Sequence, residues 1–312
     1  MMSLLNKLFK KKAPITDSVT EDEYFDRNIE SYYVLMLRRF FQNKMAVVGV
    51  IIILVLLFSS IFANVIAPYD PNETHLEALI TGKPLPPSKK FIWGTDALGR
   101  DFFTRCLYGG RTSLFVGFVA TFISIIIGVP LGCIAGYYGG WVDNVICRFL
   151  ELFNSIPAFF VLLILSTLIK ANVFNMVWII ALFSWPAFVR GVRAYFLQAK
   201  TQDFVQAARN LGLSDRTIIF KHILPFAMMP VLITAANTVI SCIGMETTLS
   251  FMGLGIREPN TSWGYIMSVA QIYLRRTPTM AIIPGVILTA CTLGMNFIAD
   301  GLRDAIDTRI GA

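Results

Sequence analysis

Charge is scarce in this sequence. Only 15% of its 312 residues are Asp, Glu, Lys or Arg, and the mean hydropathy is +0.63. A soluble protein of that length needs a more polar surface, so the composition points to the membrane class. Histidine is scarcer still, and His75 and His222 are too few and too far apart to hold a metal. The cysteines Cys106, Cys133, Cys147, Cys242 and Cys291 are scattered, with no close pair at metal-ligand spacing. Most fall in or beside apolar segments and read as small buried hydrophobes. There is no G-x-x-x-x-G-K-[ST] phosphate loop; Tyr108-Gly109-Gly110-Arg111-Thr112 is a distant echo without the lysine. No nucleophile stands with a base, and no acid pair sits in a soluble context. No cofactor is therefore expected in the chain itself, and energy for any work must come from outside it.

The net charge of +7 would suggest nucleic acid only as a patch, and the basic residues form none. They sit at the ends of apolar segments, as membrane anchors do. The N-terminal MMSLLNKLFKKK lacks an apolar core followed by a small-residue cleavage site, so it is not a cleaved signal peptide. Residues 1–28 are expected to be a flexible cytoplasmic tail. Residues 29–44 mix Tyr32, Tyr33, Leu35, Met36, Phe40 and Phe41 with Arg38, Arg39 and Lys44, which suits a helix on the membrane surface.

Residues 45–312 form a transmembrane domain, on the rule that a span needs about 20 apolar residues. Six spans are expected, making an all-α polytopic membrane protein. They are Met45–Tyr69, Thr112–Val142 (ending near Gly136), Leu152–Ile169 kinked at Pro157, Ala171–Val189, Phe226–Met245 and Thr277–Ala299. Lys170-Ala171-Asn172 leaves little room for a loop between the third and fourth. Eight basic residues in the first 45 and six in Arg190–His222 put both termini and that loop in the cytoplasm. Against this, the outer segment 67–111 also holds six, although long segments weigh less in the rule.

The outer segment is turn-rich, with Pro68, Pro71, Pro84, Pro86 and Pro87. Thr95 or Asp96 is the expected cap of a helix carrying Phe102, Phe103, Cys106 and Leu107, and Arg100 and Asp101 are placed to pair with neighbours. A structural plug over the bundle is a simpler role for it than a binding site.

The polar interruption Thr201–Pro225, within the loop 190–225, organises the rest. Thr201 is placed to cap a first helix, with Asp203 in its first turn where a negative charge suits the dipole. Val205, Ala208, Arg209 and Gly212 follow at helical spacing, with Ala207 and Ala208 offering a flat surface for another protein. Gly212 sits where a helix ends in the left-handed conformation. Ser214 then caps a second helix that buries Ile218, Ile219 and Ile223 and ends at Pro225. The plain alternative is an amphipathic loop between spans.

Gln206-Ala207-Ala208-x3-Gly212, ending in Leu224-Pro225, resembles the EAA loop of bacterial ABC-importer permeases, with glutamine in place of the usual glutamate. WGTDALGRD with YGGRTSL, ETTLSFMGLG with TSWG, and IADGLRDAIDTR resemble the second permease subunit of peptide/nickel-type importers, in the same order from about Ile29 onward. The resemblance implies the type I ABC importer permease fold and a coupling helix that docks into an ATPase cleft. It implies Asp203, Gln206, Ala207, Ala208, Arg209, Gly212, Ser214 and Pro225 as the coupling set. It also implies a homologous permease partner, two ATPase subunits that bind ATP and Mg, an external solute-binding protein and a bacterial inner-membrane location. Substrates would be di- or oligopeptides, nickel chelates or related amino compounds. The chain would be a transport subunit and not an enzyme.

Two rival classes remain beside that reading. An ion-coupled secondary transporter needs ion sites near the bilayer midplane and usually inverted repeats, and no internal repeat is seen. A membrane-embedded enzyme needs a catalytic cluster. The acid well inside an apolar stretch is Glu246, toward the outer end of the fifth span. Either it bonds Thr247, Ser250 or nearby outer-loop backbone and holds the bend at Gly253 and Gly255, or it faces a cavity and meets a substrate ammonium.

Overall fold

The computed structural model describes residues 33–81, 83–169 and 172–306. The expected tail, the first turn of the surface helix, Lys170-Ala171 and the last residues of the C-terminal motif lie outside them. Apolar runs with no competing polar groups make the long elements helical, because a spanning segment must satisfy its own backbone. The helices are α1 (33–42), α2 (Lys44–Ile61), α3 (Ala63–Ile66), α4 (Leu76–Thr81), α5 (Phe102–Tyr138), α6 (Gly140–Ser155), α7 (Ala158–Leu168), α8 (Val173–Ala199) and α9 (Asp203–Asn210). They continue with α10 (Asp215–Phe251), α11 (Trp263–Tyr273) and α12 (Thr279–Ile306). Among the described residues there is no strand beyond an isolated bridge between Thr95 and Asp101.

Five helices, α2, α5, α8, α10 and α12, are long and apolar enough to cross a membrane, and α6 with α7 makes a bent sixth. Several boundaries differ from expectation. The third span is not a kinked helix but a break, bent by 71° between α6 and α7. The break falls at Ile156, whose φ and ψ of −86° and 123° are the extended conformation that a following proline favours. The fourth span does not stop near Pro186; α8 runs on to Ala199 and carries Arg190 and Arg193 with it. The second span starts ten residues early, at Phe102, and its 37 residues reach about 55 Å, well beyond a hydrocarbon core of about 30 Å.

Small residues set the helix contacts, as they do where lipid offers no hydrophobic drive. Gly128, Gly132 and Gly136 repeat every four residues along α5, and α8 lies directly on them. A Cβ on Gly132 would sit 2.7 Å from Val192 Cβ and 2.9 Å from the Val189 carbonyl oxygen. Gly49 and Ala46 of α2 meet Gly294 and Gly301 of α12 in the same way. Asn43 caps α2 by accepting from the Met45 and Ala46 amides, and its own amide donates to Asp304 on α12 at 3.0 Å. α1 is not confined to a surface role: Met36 and Phe40 pack on Met229 and Ala305, and the Tyr33 hydroxyl donates to the Pro225 carbonyl at 2.7 Å.

Candidate functional site: a packed loop helix and a polar stripe

The segment after α8 has the predicted shape with two local corrections. Thr201 does not cap α9; its hydroxyl turns back to the Gln198 carbonyl at 2.8 Å, and Gln202 takes the cap position without a side-chain bond. Asp203 in the first turn and Arg209 in the last still match the helix dipole. Gly212 has φ +78°, the left-handed turn expected of it, and Ser214 accepts from the Thr217 amide. Pro225 ends nothing. A π-helical turn at Ile218–Ile223 leads straight into the spanning part of α10, and Pro225 lies in the first turn of that part, where its missing N–H costs little.

Burial divides α9 into two faces. Val205 is 0% exposed and Ala208 4%, both inside a cluster with Tyr137, Phe196, Ala199, Ile218, Ile219 and Ile223. Ala208 therefore looks into this chain, not toward a docking partner, as the flat-surface expectation had it. Asp203, Phe204, Gln206, Ala207, Arg209 and Asn210 are exposed and form the free face, with Leu211 just beyond. An eight-residue helix is marginal alone, so Val205 and Ala208 hold it in place.

A polar recess of about 440 Å³ opens beside that face, lined by Tyr137, Tyr138, Lys200, Thr201, Gln206, Arg209 and Asn210. The Tyr137 hydroxyl donates to Asp215 at 2.6 Å, and the Arg209 guanidinium lies 5.3 Å from the Tyr137 ring centroid. Further along α8, Arg193 grips Asp143 of α6 through both its Nε and its Nη2, the latter at 2.6 Å.

A feature missed in the sequence runs along α10. Asn237, Ser241, Gly244 and Thr248 are exposed and fall four, three and four residues apart, which puts them on one helix face. Ser241 and Thr248 bond their own helix, to the carbonyls of Asn237 and Gly244. Across a space of about 290 Å³ stand Phe159 and Leu162 of α7. The signal was present as spaced polar residues in an apolar run.

Glu246 is off this face and fully buried. The Ser113 hydroxyl donates to its Oε2 at 2.9 Å and the Ser250 hydroxyl to its Oε1 at 2.7 Å. Ser250 was an expected partner; Ser113, from α5, was not. Thr247 Oγ1 has no hydrogen-bond partner among the described residues. The same two serines accept from the Trp263 and Ile256 amides, so the carboxyl fixes α5, α10 and the chain beyond Gly253 together. It borders none of the recesses described here.

The outer segment is locked by charge. Asp101, not Thr95 or Asp96, caps α5 by accepting from the Thr104 amide. Asp96 receives Arg100 Nε at 2.7 Å, and both Arg100 and Arg105 reach Glu258 Oε1, at 2.9 and 3.1 Å. Burial works to raise the Glu258 carboxyl, but the charges of Arg105 and Arg100 and hydrogen bonds from Arg100 and Tyr265 outweigh it and hold it below its ordinary value. Beside this lock, a recess of about 770 Å³ lies between α2, α5 and α8. All five cysteines are free, and among the described residues no group of His, Cys, Asp or Glu is arranged to hold a metal.

Comparison with known proteins agrees with this architecture. Residues 128–312 match the family described as binding-protein-dependent transport system inner membrane component, and residues 31–87 match the N-terminal TM domain of oligopeptide transport permease C. The chain is 36% identical over 272 residues to an oligopeptide transport system permease protein OppC of Bacillus subtilis, covering 87% of this chain and 88% of that one. It is 35% identical over 269 residues to a dipeptide transport system permease protein DppC of Alkalihalophilus pseudofirmus, covering 86% and 87%. A structure of the MetNI methionine ABC transporter in inward-facing conformations aligns over 66% of this chain and 98% of that chain. Its TM-score is 0.53 at 20% identity, which bears on the fold alone.

Proposed function

The chain belongs to the family of binding-protein-dependent transport system inner membrane components, and from that premise we propose that it forms half of an ATP-driven import pathway for di- or oligopeptides. As a permease it hydrolyses no ATP itself. Nothing among its relatives supports the ion-coupled alternative. The observation that carries the pathway is the exposed stripe Asn237, Ser241, Gly244 and Thr248. Polar side chains on a span avoid hydrocarbon and face a bundle interior or water. The stripe covers about 16 Å along the helix, the length of four or five extended residues. Its groups are neutral donors and acceptors, which suit the amides of a peptide whatever its side chains. The names of the curated relatives favour the same substrate class.

The mechanism is alternating access against a homologous permease in the bacterial inner membrane, with both termini cytoplasmic. Two ATPase subunits bind ATP and Mg and seize the free face of α9, where Asp203, Gln206, Ala207 and Arg209 stand. Val205 and Ala208 transmit the movement inward, while Gly212 and Ser214 shape the return into α10. A solute-binding protein delivers peptide on the outer side, and each ligand acts through its differential affinity for the two states. Reconstitution with the sister permease and ATPases tests this. ATP-dependent peptide uptake is expected, and an Asn237→Leu, Ser241→Leu variant should assemble normally yet lose most uptake. Uptake driven by an ion gradient without ATP, or untouched by that variant, would overturn the proposal.

A further inference from the structure

The recess beside α9 is cationic. Lys200 and Arg209 are its charged lining residues, and the remaining lining is Tyr137, Tyr138, Thr201, Gln206 and Asn210. Among the described residues neither cation has a carboxylate within 4.0 Å. Asp215 accepts from the Tyr137 hydroxyl, beside which Arg209 also lies, and it is not part of the recess lining. Arg209 is steadied by the face of the Tyr137 ring, and Lys200 projects over the α5–α6 junction, where a Cβ on Gly139 would lie 3.1 Å from Nζ. Both cations are thus positioned without a direct carboxylate contact: Asp143, which Lys200 reaches only at longer range, and Asp215, beyond the Tyr137 hydroxyl, stand outside the recess lining. Gln206, which carries no charge, occupies the wall between them and has its amide turned to the Thr201 carbonyl at 3.2 Å.

We propose that this recess is a socket for a carboxylate side chain of the ATPase subunit, so that the permease supplies the cations of the coupling contact and the ATPase the anion. This rests on the docking of α9 proposed above and goes further by assigning the sign of the contact. Three observations fit a protein carboxylate. The recess is continuous with the free face of α9, since Gln206, Arg209 and Asn210 belong to both. Its volume admits one or two side chains with water. Its neutral groups, the Tyr138 hydroxyl and the Asn210 amide, can donate to the second carboxylate oxygen. Gathering opposite charges at the edge of a docking helix steers encounter and excludes wrong partners more than it adds raw affinity.

The assembled complex of both permeases with the ATPases provides the test. A carbodiimide joins an amine to a carboxylate with no spacer, so it should form an amide between Lys200 and an Asp or Glu of the ATPase, readable by peptide mass spectrometry. The crosslink should vanish in Lys200→Gln. The Lys200→Gln, Arg209→Gln variant should bind the ATPase about tenfold more weakly at low salt, and the difference should shrink at high salt. Lys200→Arg should restore binding, which separates charge from folding. In parallel, a photo-crosslinker at Ala207 reports docking itself. Capture from Ala207 with no carbodiimide product at Lys200 would overturn the socket and leave α9 docking intact; capture from neither would remove the docking reading as well. An amide formed only within this chain, to Asp143, would overturn the socket too. So would retention of phosphatidylglycerol that depends on Lys200 and Arg209 while ATPase binding does not, since the occupant would then be lipid.

Discussion

Val205 offers the sharpest test of how α9 is held. It is fully buried among Tyr137, Phe196, Ile218 and Ile223, so Val205→Ala removes two methyl groups from a packed cluster. At about 0.8 kcal/mol per buried methylene, with a small cavity term added, the loss is about 2 kcal/mol. The helix is too short to persist without its packing, so the loss should appear locally, as easier opening of α9, and not as unfolding of the bundle. Two kcal/mol corresponds to about 30-fold in an opening equilibrium. Hydrogen exchange on the detergent-purified protein should therefore show amides of 206–210 exchanging about 30-fold faster, with α5 and α8 unchanged. Transport should fall as well, because a loosened helix transmits less of the ATPase stroke. Ala207→Arg is the counterpart: it sits on the free face, so exchange within α9 should stay as it was while ATPase association falls. Unchanged protection in Val205→Ala, or equal loss across all helices, would refute the reasoning.

Other outcomes can be stated briefly. The Glu258 carboxyl is held below its ordinary value, so its pairing with Arg100 and Arg105 contributes stability above the ordinary carboxylate range and loses it as pH falls through the depressed value. Thermal melts taken from pH 7 downward should show that acid-side loss in the wild type and a flatter profile in Glu258→Gln; parallel profiles would refute the lock. Glu246→Leu strands the Ser113 and Ser250 hydroxyls and should cost about 1–3 kcal/mol of stability, whereas Glu246→Gln keeps an acceptor and should cost less. Because Glu246 is walled off, Glu246→Gln should transport free-amine and amine-blocked peptides in unchanged ratio, and a selective loss of the former would revive a substrate contact. For orientation, Arg216→Cys should react with impermeant thiol reagents only in inverted vesicles and Lys83→Cys only in intact cells; the reverse would put α9 outside.

Much of the fold was legible because membrane spans obey a simple rule of length and apolarity. The turn at Gly212 and the cap at Ser214 were legible for a different reason: each depends on the chemistry of one residue. What differs is the end expected at Pro225 and the span start expected at Thr112. The expected start of the second span at Thr112 falls inside α5, which already includes Gly109 and Gly110, and a Cβ on Gly110 would come within 2.8 Å of the Trp263 ring. In lipid, small residues mark close packing as often as bends. Pro225, the expected end of the second loop helix, is passed through by α10, just as α8 passes through Pro186. At the site, Glu246, the acid inside an apolar run, is the conspicuous residue, while the more informative polar stripe is spread over four ordinary ones. Ala208 was misassigned because composition shows that a face is flat and cannot show which way it points; that depended on Tyr137 and Ile218, distant in sequence.

The packing around α9 also bears on how one short helix would move a bundle under the proposed coupling. Val129, Cys133 and Tyr137 from α5, Phe188, Val192 and Phe196 from α8, and Ile218, Ile219 and Ile223 from α10 all join the cluster that receives Val205 and Ala208. The glycine seam at Gly128, Gly132 and Gly136 runs along the same part of α5, so α5 and α8 meet there with backbone nearly in contact. Close-packed interiors shift strain and do not absorb it. A displacement of α9 toward or away from the membrane therefore has no soft layer in which to be lost, and it is shared by three spans at once. Since α10 carries the exposed stripe at its other end, a tilt imposed at Val205 reorients Asn237, Ser241 and Thr248 through a continuous helix, whose hydrogen-bond ladder is irregular at the π-helical turn Ile218–Ile223 and again at Pro230, which has no N–H to give. Both lie between α9 and the stripe, where a hinge would decide how much of a movement at α9 passes on.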